Sequence, residues 1–350
     1  MFCPMTKPVP AIAIDAMGTE GGVAVCIAGV FEYLAEAAVP HRILLVGDHR
    51  SLETALAQRY ARHPQRGLIE IIHAAETIEM TQPAADGVKR KESSIAVAVR
   101  LQHDGKAGAT VSPGHTGAFM TSSLLTLGRL ENVSRPAIAT FFPTEAGQTL
   151  ILDVGANPMC KAQNLFEFAI MGSVYASVVM GNATPRVGLL SNGEERSKGN
   201  DLTLATYELL AQSNLNFIGN IEGRDILRGR ADVIVCDGFV GNIMLKFAES
   251  IRGFVTNAFR RQISSNNFSR LGAILMGPFL RRLRRTFDYA EVGGAPMLGV
   301  HGTCIVCHGR SSARAIASAL HMAGQMMDAD VNVHINNALT NGVCKPAGTL

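Results

Sequence analysis

Leu150-Ile-Leu-Asp-Val-Gly-Ala-Asn157 is the stretch of sequence that decides the fold. Its three leading apolar residues are typical of a short strand buried on both faces, and Gly155 lets the polar turn change direction. A helical pattern follows at Gln163–Met180. Five other loops repeat this order of strand, glycine-containing turn and helix, and they begin at Asp15, Ser112, Ser191, Asp237 and His308. The repetition predicts a mainly parallel sheet whose turns gather at the carboxyl ends of the strands, where ligands bind.

The alternation of strands and helices predicts a doubly wound α/β fold with helices on both faces of the sheet. Strand-like runs occupy Ala11–Ile14, Ile43–Val46, Leu68–Ile72, Ala109–Val111, Ala137–Phe141, Leu150–Leu152, Val187–Leu190, Asn216–Ile218, Val233–Cys236 and Cys304–Cys307. Helical patterns occupy Val23–Ala38, Ser51–Arg62, Ser93–Gln102, Ala118–Leu130, Gln163–Met180, Leu202–Ser213 and Asn242–Phe259. We predict one catalytic domain over 1–350, with its core at about 11–325, and a loose tail at 328–350.

The composition is that of a folded globular protein. Apolar residues make up 47% of the 350 residues and charged residues 17%, which excludes a disordered chain. The net charge of +3 is too small to indicate a nucleic-acid partner. Seven cysteines, an odd number that falls mostly in apolar runs, indicate reduced thiols and a cytoplasmic location. We find no signal-peptide pattern and no apolar stretch of about 18 residues, so we expect a soluble protein.

Several cofactor and catalytic motifs are missing. The first strand is not followed by Gly-x-Gly-x-x-Gly, and the chain contains neither a P-loop nor a Gly-x-Ser-x-Gly elbow. ATP hydrolysis and a covalent serine are therefore disfavoured. Cys304-Ile-Val-Cys307-His308 matches a haem-attachment string, but residues three apart on a strand face opposite sides. Asp15, Asp153 and Asp237 follow strands without a chelating spacing, so we predict no metal and no cofactor.

The loop His308-Gly-Arg-Ser-Ser-Ala-Arg314 supports two compatible interpretations. Ser311 or Ser312 is placed to cap the helix that follows. The free N–H groups of that helix, together with Arg310 and Arg314, also form a pocket for an anion. We therefore expect both a helix cap and an anion site here.

Two other loops each leave two interpretations open. In the loop at Ser112, His115 and Thr116 either donate hydrogen bonds to a phosphate or carbonyl oxygen or belong to a simple tight turn. Lys198 lies in the charged string Asn192-Gly-Glu-Glu-Arg-Ser-Lys-Gly-Asn-Asp201. That string is either a solvated loop with weak ion pairs or the source of a cation for phosphate.

The segment at 254–289 breaks the alternation of strands and helices. Its apolar middle, Leu271–Leu280, runs directly into a cluster of arginines at 281, 282, 284 and 285. One interpretation is a helical hairpin that packs on the core or on a twin subunit. The other is a surface that contacts a membrane or an acidic partner, because apolar residues beside arginines suit such an interface.

Six strings along the chain are specific enough to compare with known families: Asp153-Val-Gly-Ala-Asn157, Phe168-Ala-Ile-Met-Gly-Ser-Val-Tyr-Ala176, Asn220-Ile-Glu-Gly-Arg-Asp-Ile226, Cys236-Asp-Gly-Phe-Val-Gly-Asn242, Gly293-Gly-Ala-Pro-Met-Leu-Gly-Val300 and His308-Gly-Arg-Ser-Ser-Ala-Arg-Ala-Ile316. Taken in order, these strings resemble the bacterial phosphate acyltransferase family of phospholipid synthesis over about residues 11–319. The resemblance implies a fold like that of the isopropylmalate dehydrogenases with a protruding helical hook at 254–289. It also implies a homodimer at the inner face of the membrane, with a membrane acyltransferase as a further partner. The implied reaction moves a fatty acyl group from acyl-acyl carrier protein to inorganic phosphate, giving acyl phosphate.

The resemblance and the residue chemistry together imply a site. The catalytic residues would be Lys198, His308, Asn242 and Asp237. Substrate and phosphate would be bound by Asp15, Gly18, His115, Thr116, Gly117, Asp153, Gly155, Asn157, Glu194, Gly199, Asn200, Gly309, Arg310, Ser311 and Arg314. The membrane hook would present Leu271, Ile274, Leu275, Met276 and Phe279. In this scheme Lys198 holds phosphate with the two arginines, and His308 either protonates the leaving thiolate or acts as a further donor. Hydrogen bonds to the oxyanion or the phosphate would come from His115, Thr116, Asn157 and Asn242.

The chain departs from the family pattern at three loops. Thr19 follows the first loop where the family has glycine, and His115 replaces an asparagine. Pro158 and Met159 follow Asn157 where the family has an acidic residue. A non-catalytic relative that binds carrier protein or membrane therefore stays open as an alternative. A dehydrogenase of similar fold is a further alternative, but it requires paired aspartates for a metal and a nicotinamide pocket.

Overall fold

The computed structural model of this protein describes residues 10–264, 276–277 and 293–340. The described residues divide into two compact units. The first unit contains the residues up to Pro136 and those from 293 to 340, and the second contains those from Ala137 onward to 277. The single domain expected over 1–350 stays a prediction.

The strands match the sequence pattern closely. They are β1 (Ala11–Asp15), β2 (Ile43–Gly47), β3 (Ile69–His73), β4 (Ala107–Ser112), β5 (Ala137–Thr144), β6 (Gly147–Leu152), β7 (Val187–Leu190), β8 (Phe217–Ile221), β9 (Val233–Val235), β10 (Ala295–Leu298) and β11 (Thr303–Val306). Every residue of β1 and β2 is buried. Because successive residues of a strand point to opposite faces, both faces of the sheet are covered there.

The helices lie between these strands. They are α1 (Val23–Glu36), α2 (His49–Tyr60), α3 (Asp86–Lys89), α4 (Ser94–His103), α5 (Thr116–Leu127), α6 (Ala162–Val178), α7 (Asp201–Ala211), α8 (Gly223–Ile226), α9 (Gly238–Ser264), α10 (Ala313–Asp328) and α11 (Val331–Thr340), and a 3₁₀ turn spans Pro64–Leu68. Side-chain caps begin several of them, as where Asp48 accepts a hydrogen bond from the Ser51 N–H at 2.9 Å. Within the described residues, no helix combines the length and the apolar character that crossing a membrane requires.

Each unit has a mainly parallel sheet. In the first unit the strands lie in the order β3-β2-β1-β4-β11-β10, and β10 runs antiparallel to β11. In the second unit the order is β5-β6-β9-β7-β8, and β5 runs antiparallel to β6. The carboxyl ends of β1, β4 and β11 therefore lie side by side, and so do those of β6, β9 and β7. The predicted α/β class is confirmed.

Two features differ from the sequence-based expectation. Strand β10 was not expected, because Pro296 lacks an N–H donor and interrupts the strand signal. The prediction of a loose tail at 328–350 is wrong for Val331–Thr340, because these residues form α11. This helix buries Val331 and Ile335, which are four residues apart on one helix face. The remaining tail, 341–350, lies outside the described residues. So does most of the predicted hook at 254–289, apart from the end of α9 and residues 276–277.

Replacing Gly29 by alanine should destabilise the first unit. A Cβ at Gly29 would lie 2.6 Å from both the Ala313 carbonyl oxygen and the Ile316 Cβ, where α1 packs against α10. Overpacking of this kind costs about 1–3 kcal/mol of unfolding free energy. Gly67→Ala is the matched control, because a Cβ there meets nothing within 4 Å and should change stability by less than about 0.5 kcal/mol. Urea denaturation measures both, and equal midpoints would contradict the packing described.

Candidate active site

Three predicted loops of the first unit meet at the carboxyl ends of β1, β4 and β11. The Ser112 hydroxyl donates to Asp15 Oδ2 at 2.8 Å, and the Cys307 N–H donates to the Ser112 carbonyl oxygen at 2.8 Å. The Glu20 N–H donates to the Gly309 carbonyl oxygen at 2.7 Å. These bonds join loops that are far apart in sequence into one surface.

Asp15 lies at the centre of this surface and is 1% exposed. Burial raises the pKa of its carboxyl group, while hydrogen bonds from Ser112 and the Met17 N–H favour the ionised form. Gly114 approaches closely, since a Cβ there would lie 2.7 Å from Asp15 Oδ2. Asp15 is therefore closely surrounded by the loops that it links, and its part in substrate binding stays a prediction.

His115 caps α5, and Thr116 is the first residue of that helix. The His115 Nδ1 accepts a hydrogen bond from the Ala118 N–H at 3.1 Å. A neutral imidazole that accepts at Nδ1 carries its proton on Nε2. His115 can therefore act as a cap and, through Nε2, as a donor to an anion, so the two predicted roles are compatible.

His308 is exposed and has the same arrangement. Its Nδ1 accepts from the Arg310 N–H at 3.1 Å, and its own N–H donates to the Ser311 hydroxyl at 3.1 Å. The neutral ring then presents a proton on Nε2. The cap of α10 is Ser312, whose hydroxyl accepts from the Ala315 N–H at 3.2 Å. Ser311 instead fixes the turn that carries His308.

The two arginines predicted to hold phosphate are both paired with glutamates. Arg310 Nε lies 3.1 Å from a Glu20 carboxylate oxygen. Arg314 donates to both carboxylate oxygens of Glu36, and this interaction lowers the pKa of Glu36. Phosphate binding by either arginine thus requires that its ion pair with glutamate opens or is shared with the phosphate, and it stays a prediction.

The sequence assigns no role to Glu20 and Glu36, because their negative charge is the only feature that could have indicated a contact with these arginines.

In the second unit, Asp153 is fully buried at the end of β6. Its carboxylate accepts from the N–H groups of Ile138, Gly155 and Ala156 at 3.0–3.2 Å. It also accepts from the Asn157 N–H at 2.6 Å and from Asn157 Nδ2 at 2.9 Å. Burial raises the pKa of this group, and the N–H donors oppose that effect. The side chain of Asn157, predicted as a donor to substrate, is thus directed to Asp153.

The start of α9 packs against the Asp153 loop. Asp237 caps the helix by accepting from the Val240 N–H at 2.8 Å, and the Gly238 N–H donates to the Asn157 carbonyl oxygen at 2.8 Å. Gly155 has a φ of +144°, which favours glycine, and a Cβ there would lie 3.7 Å from the Asn242 side chain. Asn242 is exposed and stands beside this turn, so it is placed to donate to a ligand.

The charged loop after β7 is held by ion pairs on two sides. Glu194 lies 3.3 Å from an Arg224 nitrogen and 3.0 Å from an Arg230 nitrogen. Arg196 donates to both carboxylate oxygens of Glu208. Glu194 is thus bound to arginines, and we expect its part in substrate binding to be indirect.

Lys198 differs from its charged neighbours in this loop. It is exposed, and it forms no ion pair with any residue that the structure describes. Its stem lies over Gly193, since a Cβ there would be 2.6 Å from Lys198 Cγ. Next to it, Gly199 has a φ of +116°, and Asn200 caps α7 by accepting from the Thr203 N–H at 2.9 Å. Among the three cations predicted to hold phosphate, Lys198 is the one that needs no partner to be displaced.

A carboxylate cluster formed by Glu194, Glu222 and Asp225 has oxygen atoms within 4.8 Å of one another. Arginines compensate its charge: Arg230 contacts two of these carboxylates at 3.0 and 3.2 Å, and Arg224 contacts Glu222 at 2.8 Å. The cluster is a network of ion pairs and not an open set of metal ligands.

The predicted site residues therefore fall into two groups. Asp15, Gly18, His115, Thr116, Gly117, His308, Gly309, Arg310, Ser311 and Arg314 belong to the first unit, and Asp153, Gly155, Asn157, Glu194, Lys198, Gly199, Asn200, Asp237 and Asn242 to the second. The hook residues Leu271, Ile274, Leu275 and Phe279 lie outside the described residues, and Met276 is 50% exposed. Ser112, which links two loops, was missed as a site residue because its hydroxyl resembles ordinary turn chemistry.

Comparison with known proteins extends over nearly the whole chain. A family model described as "Fatty acid synthesis protein" matches residues 11–334. A protein named phosphate acyltransferase from Heliobacterium modesticaldum is 48% identical over 315 residues, which cover 90% of this chain and 93% of that protein. One of the same name from Moorella thermoacetica is 49% identical over 313 residues, covering 89% and 91%.

Solved structures with low sequence identity share the fold. The EutD phosphotransacetylase from Staphylococcus aureus has a TM-score of 0.58 at 16% identity, covering 91% of this chain and 94% of its own. A 4-hydroxythreonine-4-phosphate dehydrogenase from Klebsiella pneumoniae has a TM-score of 0.52 at 13% identity, covering 91% and 98%. At these identities the likeness concerns the fold alone, and it includes both transacylases and dehydrogenases.

Asp153→Asn should destabilise the protein more than Asp15→Asn. The amide would turn an NH₂ group towards the N–H donors that now meet Asp153, and each unsatisfied buried donor costs about 1–3 kcal/mol. At Asp15 the new NH₂ can donate to the Ser112 hydroxyl oxygen, so the cost should be about 1 kcal/mol. Thermal unfolding of the two variants at neutral pH measures the difference. Equal losses would show that the donor count around Asp153 does not matter.

Proposed function

This chain belongs to the phosphate acyltransferase family, and we propose that it transfers a fatty acyl group from acyl-acyl carrier protein to inorganic phosphate. The product is the acyl phosphate used in phospholipid synthesis. Family membership over nine-tenths of the chain carries this proposal. Lys198 supports it as an exposed cation that forms no ion pair with any described residue.

The residues fit a direct transfer without a covalent enzyme intermediate. A phosphate oxygen attacks the thioester carbonyl carbon, the C–S bond breaks, and the thiolate leaves and takes a proton. Phosphate is already an anionic nucleophile near neutral pH, so the protein must mainly position it and stabilise the developing oxyanion. This chemistry explains why an active site of cations and N–H donors suffices.

Within this proposal Lys198 binds the phosphate, and the Nε2–H of His308 donates a hydrogen bond to the leaving sulfur. The proton that phosphate loses on acylation ends on the thiolate. Asn242 donates to the oxyanion, and Asp237 acts by capping the helix that carries Asn242. Backbone N–H groups of the turns at Gly117 and Gly309 in the first unit, and of the turn at Gly199 in the second, are further donors in this proposal. Arg310 and Arg314 contribute once their glutamate partners are displaced or shared.

The changed residues after Asn157 do not disturb the Asp153 turn itself. Asn157 is buried and bonded to Asp153, while Met159 is 81% exposed. The family difference at Pro158 and Met159 is therefore confined to the surface. This favours an active transferase over the non-catalytic relative. The dehydrogenase alternative gains nothing from the shared fold, which hosts both chemistries.

We further infer a homodimer that works in the cytoplasm at the membrane surface, beside a membrane acyltransferase. The support is a stripe on α9, formed by Phe239, Ile243, Phe247, Ile251 and Phe254, in which every side chain is exposed. Residues spaced by three or four lie on one helix face. A contiguous apolar face of this size marks an interaction site, and we assign it to a second copy of the chain.

Purified protein given acyl-acyl carrier protein and inorganic phosphate should release free carrier and acyl phosphate. Hydroxylamine trapping of the acyl phosphate measures the product. Lys198→Ala should lower the rate about 100-fold or more, because the cation that holds phosphate is removed. Lys106→Ala, at the amino end of β4, is the control and should stay within about two-fold.

Absence of product with both carrier-protein and coenzyme A thioesters would favour the non-catalytic relative. Full activity of Lys198→Ala would leave the reaction in place but remove Lys198 from it.

Phe247→Asp combined with Phe254→Asp should convert the dimer to a monomer. These side chains are 65% and 68% exposed, so the folded monomer tolerates the change, whereas a carboxylate buried in an apolar interface is strongly unfavourable. Leu125→Asp replaces an equally exposed apolar residue of the first unit and should leave the dimer intact. Sedimentation velocity measures the oligomeric state. A monomeric parent protein would contradict the proposed dimer.

A further inference from the structure

Asn220, on β8, contacts the backbone of the loop that carries Lys198. It belongs to the string Asn220-Ile-Glu-Gly-Arg-Asp-Ile226, for which sequence reasoning found no function. The side chain is 3% exposed, and its Nδ2 donates to the Glu195 carbonyl oxygen at 2.9 Å. The same oxygen accepts from the Lys198 N–H at 2.9 Å. One carbonyl therefore connects Asn220 directly to the backbone of Lys198.

This contact fixes the loop to a rigid element. Asn220 pairs with Leu189 of β7 in the parallel sheet, so its position follows from the register of two strands. A carbonyl oxygen has two lone pairs, and here both are used, one by Asn220 and one by the turn that leads to Lys198. Rotation of the turn would break one of these bonds.

Other contacts restrain the loop without restraining the lysine ammonium group. Glu194 is held through Arg230, which also contacts Asp225, a buried carboxylate. The stem of Lys198 lies over Gly193. The ammonium group is left without an ion-pair partner among the described residues, at the end of a loop whose backbone is tied down.

The oxygen and the nitrogen of the Asn220 amide differ in their contacts. Asn220 Oδ1 is buried and has no hydrogen-bond partner within the described part of the chain. Leaving a buried acceptor unsatisfied disfavours folding, and such groups require an explanation. The retained interaction is the bond from Nδ2 to the lysine loop, which points to a role for that bond.

We propose that Asn220 is a positioning residue that holds the Lys198 loop in the geometry for binding phosphate. The inference rests on the proposed function, in which Lys198 is the phosphate ligand. Asn220 does not touch the substrate; it acts through the Glu195 carbonyl. Misplacing a binding group by about 1 Å costs up to about 100-fold in rate, so loosening this turn should be measurable.

Steady-state kinetics of Asn220→Ala test this role. The KM for phosphate should rise about 10-fold or more, while the KM for acyl-acyl carrier protein stays within about two-fold. A purely structural defect would lower the active fraction and leave both KM values unchanged. Asn216→Ala is the matched control, because Asn216 also donates from Nδ2 to a carbonyl oxygen, that of Thr184 at 3.1 Å. Asn216 precedes the amino end of β8, whereas Asn220 lies near its carboxyl end.

A double-mutant cycle separates an effect through Lys198 from any other effect. In the Lys198→Ala background, Asn220→Ala should change the remaining activity by no more than about two-fold. A larger further loss, or an unchanged phosphate KM in the single variant, would overturn the proposal. If Asn220→Ala does not fold, Asn220→Ser carries the same expectations, because it keeps a polar side chain but removes the Nδ2 donor.

Hydrogen exchange gives a readout that does not depend on activity. The Lys198 amide should lose protection in Asn220→Ala and keep it in Asn216→Ala, and equal exchange in both variants would overturn the proposal. A parent protein that makes no acyl phosphate but shows this exchange difference would disprove the proposed function, and with it the role in phosphate binding, while showing that Asn220 still holds the Lys198 loop.

Discussion

The set of N–H donors around the buried Asp153 carboxylate is the interaction on which the candidate site of the second unit depends. A charge without water must be met by donors, and this one is met by four backbone N–H groups and the Asn157 amide. Those donors determine the path of the turn from Gly155 to Asn157. The Asn157 carbonyl in turn receives the Gly238 N–H, so the start of α9 is placed by the same centre. Asp15 has the corresponding position in the first unit, with fewer donors.

The charged side chains differ in whether they already form an ion pair. Arg310 and Arg314 are paired with glutamates, and Arg224 and Arg230 form a network with acidic residues of the second unit. Exposed pairs of this kind contribute little stability each, but together they restrain the loops that carry them. Lys198 is the exception, since its backbone is held while its ammonium group forms no ion pair in the part of the chain that the structure describes. A cation in that state meets an incoming phosphate without first losing another interaction.

Much of the fold was predictable because it depends on local patterns. Short apolar runs identified ten strands, and the glycine-containing turns that follow six of them, with the helical patterns in between, indicated a parallel sheet. The failures have physical causes. Pro296 interrupts the signal of β10. The apolar face of α11 is narrow, so the sequence of this polar segment predicts a loose tail instead of a helix. The string at Asn220 carries part of the family resemblance. The contact that Asn220 makes could not be predicted, because the sequence does not show which group an asparagine on a strand will bond to.

The sequence by itself determined the α/β class, the positions of the loops that carry polar chemistry, and the family with its implied reaction. These follow from residue order, which sets where strands end and which side chains stand at those ends. Only the tertiary structure decided what each of those side chains is bonded to. It directed Asn157 to Asp153 and paired two expected phosphate ligands with glutamates. It placed Lys198, without an ion pair to any described residue, on a loop fixed by Asn220. Hydrogen bonds and ion pairs between residues far apart in sequence depend on strand order and register, and no local pattern contains that information.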